Sequence, residues 1–143
     1  LAAPSLYDIT ATYHEAEHQI IGSEKITFTN DGEAPLSEIY LFLYPNLYSK
    51  KSPNINPAYY KKAYPVQFNP GEMRIFSISD EAGTRLSYAA EASNMVVKIT
   101  LPAPIPPKNP YTFFVHFVDL FGEMAFRLIS RGWPGSPGGC GHR

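Results

Sequence analysis

The sequence predicts an all-β domain: a β-sandwich of about seven or more mainly antiparallel short strands, with an irregular C-terminal tail. Three observations carry that expectation. Short segments alternate apolar and polar residues with the period of two that a half-buried strand requires. Turn-forming clusters (NDG, DEAGT, EASN and PAPIPPKNP) separate them at roughly 10-residue intervals. The chain of 143 residues also holds 14 prolines and 10 tyrosines, and no helix-length amphipathic stretch interrupts the pattern.

The elements follow in order. YDITATY places Tyr7, Ile9, Ala11 and Tyr13 on one face and Asp8, Thr10 and Thr12 on the other, giving a first half-buried strand. In QIIGSEKITFTN, Ile20, Ile26 and Phe28 share a parity against Lys25, Thr27 and Thr29, giving a second. Asn30, Asp31 and Gly32 form a turn, with Asn and Asp bonding locally to backbone and Gly accepting positive φ. LSEIYLFLYPN is apolar on both parities, as in a strand covered on both sides or wedged against a long loop, and Pro45 ends it. Residues 46–70 lose all periodicity and form a candidate binding loop or small subdomain. Alternation returns in GEMRIFSIS, TRLSYAAE, NMVVKITL and YTFFVHF. These divisions predict a sandwich over residues 1–120 and, over 121–143, an irregular tail or truncated linker.

Charge and cysteine content exclude little beyond this. Twelve basic residues against thirteen acidic leave a net charge of −1, so no whole-chain field favours nucleic acid or an anionic membrane. The single Cys140 has no partner for an internal disulfide. No apolar run approaches the roughly 20 residues of a spanning helix. The start, LAAPSLYDI, lacks an initiator Met, which fits either an excised piece of a longer chain or a processed chain whose signal peptide is gone, the second of which goes with an extracytoplasmic or cell-envelope setting.

One motif carries potential chemistry. HEAEH, His14 to His18, spells HExxH, which on a helix sets two imidazoles on one face to hold zinc beside a general-base glutamate. Thr12 and Glu15 match a capping box, but the motif joins two alternating segments at a length normal for a polar hairpin loop, with no apolar helix face to bury. His14 and His18 therefore read as an exposed turn rather than as metal ligands. Cys140 with His142 cannot close a tetrahedral site. Lys50, Lys51, Lys61 and Lys62 interleave with Tyr48, Tyr59, Tyr60 and Tyr64, a mixture that suits single-stranded nucleic acid but equally a solvated loop. His116 faces opposite Tyr111, Phe113, Val115 and Phe117, so it reads as an outward or interface histidine rather than a catalytic one.

The order of Tyr7 and Ile9; Gly22, Ile26, Phe28 and Asn30; then Leu36, Glu38, Ile39, Leu41 and Leu43 resembles the amino-terminal domain of zinc aminopeptidases of the aminopeptidase N family, which are gluzincin metallopeptidases. The ending LFLYPN is most similar to the bacterial branch, and GTRLSYAAE, VVKITLPAPIPP and YTFFVHF resemble the later strands, so that the likeness covers about residues 6 to 118. The resemblance implies a β-sandwich that precedes a thermolysin-like catalytic domain. The family's own HExxH, its zinc and a G-x-M-E-N motif lie in that domain, and neither motif follows here. The position of the family's third zinc ligand falls on Ser37, with Glu38 one residue beyond, and the longer HExxHxxGxxH form fails because position 21 is Ile and Gly22 comes one late. Trp133 and Pro134 echo the family's link toward the catalytic domain, but the surrounding tail departs from its pattern.

The expectation is thus a non-catalytic domain of a larger zinc peptidase. It packs on the catalytic domain of the same parent and walls one side of its cleft, with zinc in the parent and no catalytic, cofactor or metal residue in this chain. A free-standing sandwich that binds a protein or glycan is the alternative, and it predicts exposed faces that are polar. A minimal metalloprotease at HEAEH predicts instead a helix over residues 13–21.

Overall fold

The computed structural model describes residues 4–50, 56–64, 67, 68, 70–92 and 94–121. Seven strands are present among them: β1 (Leu6–His14), β2 (Gln19–Thr29), β3 (Leu36–Phe42), β4 (Glu72–Asp80), β5 (Ser87–Glu91), β6 (Val96–Ile105) and β7 (Pro110–Leu120). They form two antiparallel sheets, one four-stranded in the order β1-β2-β7-β4 and one three-stranded in the order β3-β6-β5. The all-β reading holds. The tail lies outside the described residues from 122 onward.

The core forms where the inner faces meet. Ile26, Ile78, Phe113, Val115 and Phe117 from the larger sheet are buried, as are Val97, Ile99, Leu101 and Ile105 of β6, with Leu43 and Leu86 closing the ends. Along β2 the inner parity also contains Gly22, whose absent side chain makes room for the Phe117 ring. A Cβ there would lie 2.8 Å from Phe117 Cζ and 2.9 Å from the Thr10 carbonyl oxygen, closer than carbon contacts allow.

Two buried asparagines fasten opposite ends of the sandwich. Asn30, 1% exposed, donates through Nδ2 to the carbonyls of Ala34 (2.9 Å) and Ile105 (3.0 Å) and accepts the Gly32 amide at Oδ1. Its own backbone bonds to Asn109 and Lys108. One side chain thus joins the β2–β3 crossover to the β6–β7 crossover. At the far end Asn46, 2% exposed, accepts the Met73 amide at 2.7 Å and donates to the carbonyls of Met73 and Asn94.

Several local expectations are corrected. The Asn30 side chain, rather than a left-handed Gly32, shapes its turn; the positive φ angles fall at His18, Gly83, Ala92, Asn94 and Lys108. The strand predicted to end at Leu101 runs on through Pro102 and Pro104 to Ile105. Proline is tolerated there because β5 pairs only as far as Thr100 and the β3 register shifts opposite the same stretch. Residues 46–70, read as a candidate binding loop or small subdomain, hold the end of a 3-10 turn (Tyr44–Tyr48) and a short helix α1 (Pro57–Ala63), capped by Asn56 Oδ1 accepting from the Ala58 amide. Finally, the segment expected to be covered on both sides or wedged against a long loop is an edge strand: Ile39 and Leu41 pack inward, while Tyr40 and Phe42 are exposed.

Asn30→Ala strands two carbonyls and one amide of the crossovers, and it is expected to cost about 2 kcal/mol in urea unfolding. Asp31→Ala, whose side chain makes none of these bonds, should stay within about 0.5 kcal/mol of the parent chain.

Candidate functional site

The HEAEH residues form no helix. β1 continues through His14, Glu15 to His18 make a tight turn closed by the His18 amide on the Glu15 carbonyl (3.3 Å), and β2 starts at Gln19. His18 adopts a left-handed φ of 51°. The facing arrangement of imidazoles that a helix gives HExxH is therefore not built, and among the described residues no cluster of three His, Cys, Asp or Glu side chains is placed to hold a metal. Cys140 and His142 lie outside the described residues.

The lysine and tyrosine loop resolves into separate roles. Tyr60 and Tyr64 pack edge-on against Phe68, with ring centroids 5.5 and 5.0 Å apart, so two of the rings needed for base stacking serve a small local core. Burial there raises the Tyr64 phenol above its ordinary pKa. Lys61 and Lys62 are exposed on the last turn of α1, and Lys51 lies outside the described residues. His116 is exposed on the outer face of β7, as its parity predicted, between Ser23 and Ser77.

A concave surface lies where the sheets fail to match. Four strands face three, and among the described residues no strand lies over the inner face of the fourth, β1: Tyr7 and Ile9 are 61% and 58% exposed despite their inward parity, while Tyr13 at the far end meets the Phe121 ring, centroids 6.0 Å apart. The half-buried strand expected from YDITATY is thus an uncovered one. Between this face and the edge of β3 lies a cleft of about 370 Å³, lined by Tyr7, Glu24, Ile26 and Val115 on one side and by the consecutive residues Tyr40 to Tyr44 on the other. Side chains on one sheet face appear every second residue, so a run of five neighbours means that the cleft follows the edge of β3 rather than its face.

Glu24 sits on the cleft floor. It shares the inward parity of Ile26 and stands between Ile9 of β1 and Val115 of β7. Half-buried among apolar neighbours, it makes no hydrogen bond or ion pair among the described residues, and desolvation raises its carboxyl above the ordinary value. Asp119, on the same inner face beside Ile20 and Met73, is raised for the same reason. Four residues along a strand span roughly 13 Å, so the two carboxyls are too far apart to act as an acid–base couple across one bond. The outer face of the smaller sheet carries the opposite pattern. Lys98 Nζ stands 3.5 Å from Glu38 and 3.8 Å from Glu91, with the Tyr40 hydroxyl donating to Glu38, an ordinary solvated network. Sequence reasoning passed over Glu24, although its parity with Ile20, Ile26 and Phe28 was the signal that marks it inward.

No family model matches the sequence, and no curated protein does. Solved structures do. The chain is similar to a two-domain M1 zinc metallopeptidase bound to L-arginine, at 17% identity and a TM-score of 0.49 over 80% of this chain and 19% of that one. It is also similar to an M1 zinc metallopeptidase from Deinococcus radiodurans, at 18% identity and a TM-score of 0.47 over 80% of this chain and 19% of that one. A two-domain M1 zinc metallopeptidase bound to L-tryptophan aligns with 92% of this chain and 22% of its own, at 19% identity and a TM-score of 0.47. The chain spans about a fifth of the length of each.

Two outcomes follow. Because the folded chain binds the Glu24 proton more readily than the unfolded chain, the associated stability is full below the ordinary carboxylate range and is lost as pH rises through the raised pKa. Glu24→Gln should therefore unfold at higher urea than the parent at neutral pH, with the difference vanishing near about pH 3, below the ordinary carboxylate range. Mass spectrometry of the dialysed chain should find no stoichiometric zinc. One zinc per chain that disappears in the His14→Ala, His18→Ala variant would contradict the turn reading.

Proposed function

We propose that this chain is a non-catalytic amino-terminal β-sandwich domain of an aminopeptidase N-like zinc metallopeptidase, one that packs on the catalytic domain and walls one side of its cleft. The observation that carries this reading is the apolar inner face of β1, where Tyr7, Ile9 and Tyr13 stay exposed at 61%, 58% and 41%. A free-standing module hides such residues or replaces them with polar ones, whereas a domain with a permanent neighbour leaves them for the interface. The motif residues support the same reading. Tyr7 and Ile9 lie on β1, Gly22 beneath Phe117, Asn30 at the double crossover, and Ile39, Leu41 and Leu43 on and just beyond β3 facing the core.

In this reading the zinc and the chemistry belong to the catalytic domain, and this domain supplies a wall that admits only short peptide ends. The bacterial branch and a location outside the cytoplasm belong to the same proposal. The test is the reading frame of the parent gene, followed by expression of its full product. A downstream HExxH with a glutamate ligand on a second helix, and aminopeptidase activity that needs both parts, is the expected result. A natural stop after Arg143, with the chain alone folding as a monomer, would overturn it.

A further inference from the structure

We propose that the cleft between β1–β2 and β3 is a strand-addition site that receives an extended polypeptide segment carrying a lysine or arginine between apolar side chains, with the cation set on Glu24. The inference shares the inner face of β1 with the peptidase reading, where the segment would come from the packed neighbour, but it is argued from the β3 edge and Glu24 and holds or fails on them.

The backbone of β3 supplies the first half of the argument. The Leu43 amide donates to the Met95 carbonyl at 2.8 Å, on the β6 side, and backbone groups alternate sides along a strand. Ile39 and Leu41 therefore spend their backbone groups on β6, and Tyr40 and Phe42 turn theirs to the open edge, where no strand lies among the described residues. Edge strands are normally blunted by Lys, Pro or a bulge along their length. Here the bulge sits at the Leu36/Glu38 end, and Glu38 to Leu43 contains neither Lys nor Pro.

Charge supplies the second half. A strand laid on β3 would extend the smaller sheet over the bare inner face of the larger one, and its inward side chains would meet Tyr7, Ile9, Glu24 and Ile26 in alternation. Three of these four are apolar or aromatic. The fourth is a carboxylate with no cation beside it among the described residues, whose four ion pairs use Glu72, Glu38, Glu91 and Glu33. Covering an unpaired carboxylate with a purely apolar strand is unfavourable, whereas a lysine or arginine at the same place forms a charge-assisted bond. The occupant is therefore specified in both backbone and side-chain terms.

The probe is an end-blocked eleven-residue peptide of alternating threonine and valine with lysine at the central valine-face position, compared with its norleucine counterpart. Amide shifts of the isotope-labelled chain are followed during titration. The expected result is saturable perturbation of the Tyr40 and Phe42 amides, with the lysine peptide binding about tenfold more tightly than the norleucine peptide, as one charge-assisted hydrogen bond implies. Glu24→Gln, checked for folding in the same spectra, should bind both peptides alike. Equal binding of the two peptides by the parent chain, no perturbation of Tyr40 and Phe42, or a concentration-dependent self-dimer that occupies the β3 edge would each overturn the proposal.

Discussion

The buried amide of Asn30 is the contact on which the arrangement of the two sheets depends. A sandwich whose strands change sheet at four of six connections needs its crossovers fixed, because each brings unpaired backbone groups to the rim of the core. Asn30 joins two of the crossovers at one end with a single side chain, and Asn46 at the other ties the β3–β4 crossover to the β5–β6 hairpin through Met73 and Asn94. With the ends held, the faces between them need only apolar complementarity. Phe113, Ile78 and Ile99, all 0% exposed, provide it.

Fixing the sheets in this way also fixes their mismatch. The three-stranded sheet is centred over β7 and its neighbours, so the surplus strand β1 projects past the edge of β3. Its apolar side chains face a volume that this chain's described residues do not fill. The exposed face, the free edge of β3 and the unpaired Glu24 thus have one origin: a core built for three strands against a sheet of four.

Much of the architecture was legible in the sequence because alternation reports local geometry. The alternating strands, the outward face of His116 and the NDG turn could be read from parity and turn chemistry, and β3 from its short apolar run ended by Pro45. The sequence also marked HEAEH as a hairpin loop, since its flanks alternate with period two, and the structure places a turn there. What sequence could not convey was coverage. Parity tells which residues share a face but not whether another sheet lies over it, so Tyr7 and Ile9 were expected to be half-buried and are exposed, and the doubly apolar β3, expected to be covered on both sides or wedged against a loop, is an edge. Glu24 was overlooked for a related reason: a charged residue within an alternating run reads as outward until the partners on both sides, Ile9 and Val115, are known. The double role of Asn30 was hidden as well, because Ile105 lies 75 residues away.

The account's central claim is that the inner face of β1 is surface in this chain, left for another polypeptide. Urea unfolding of the Tyr7→Thr, Ile9→Thr variant tests it most directly, since threonine preserves strand propensity while removing the apolar groups. If the face is uncovered, the variant should unfold within about 0.5 kcal/mol of the parent. A loss of about 3 kcal/mol or more, the signature of emptied core positions, would mean that the chain covers this face itself and would contradict the account.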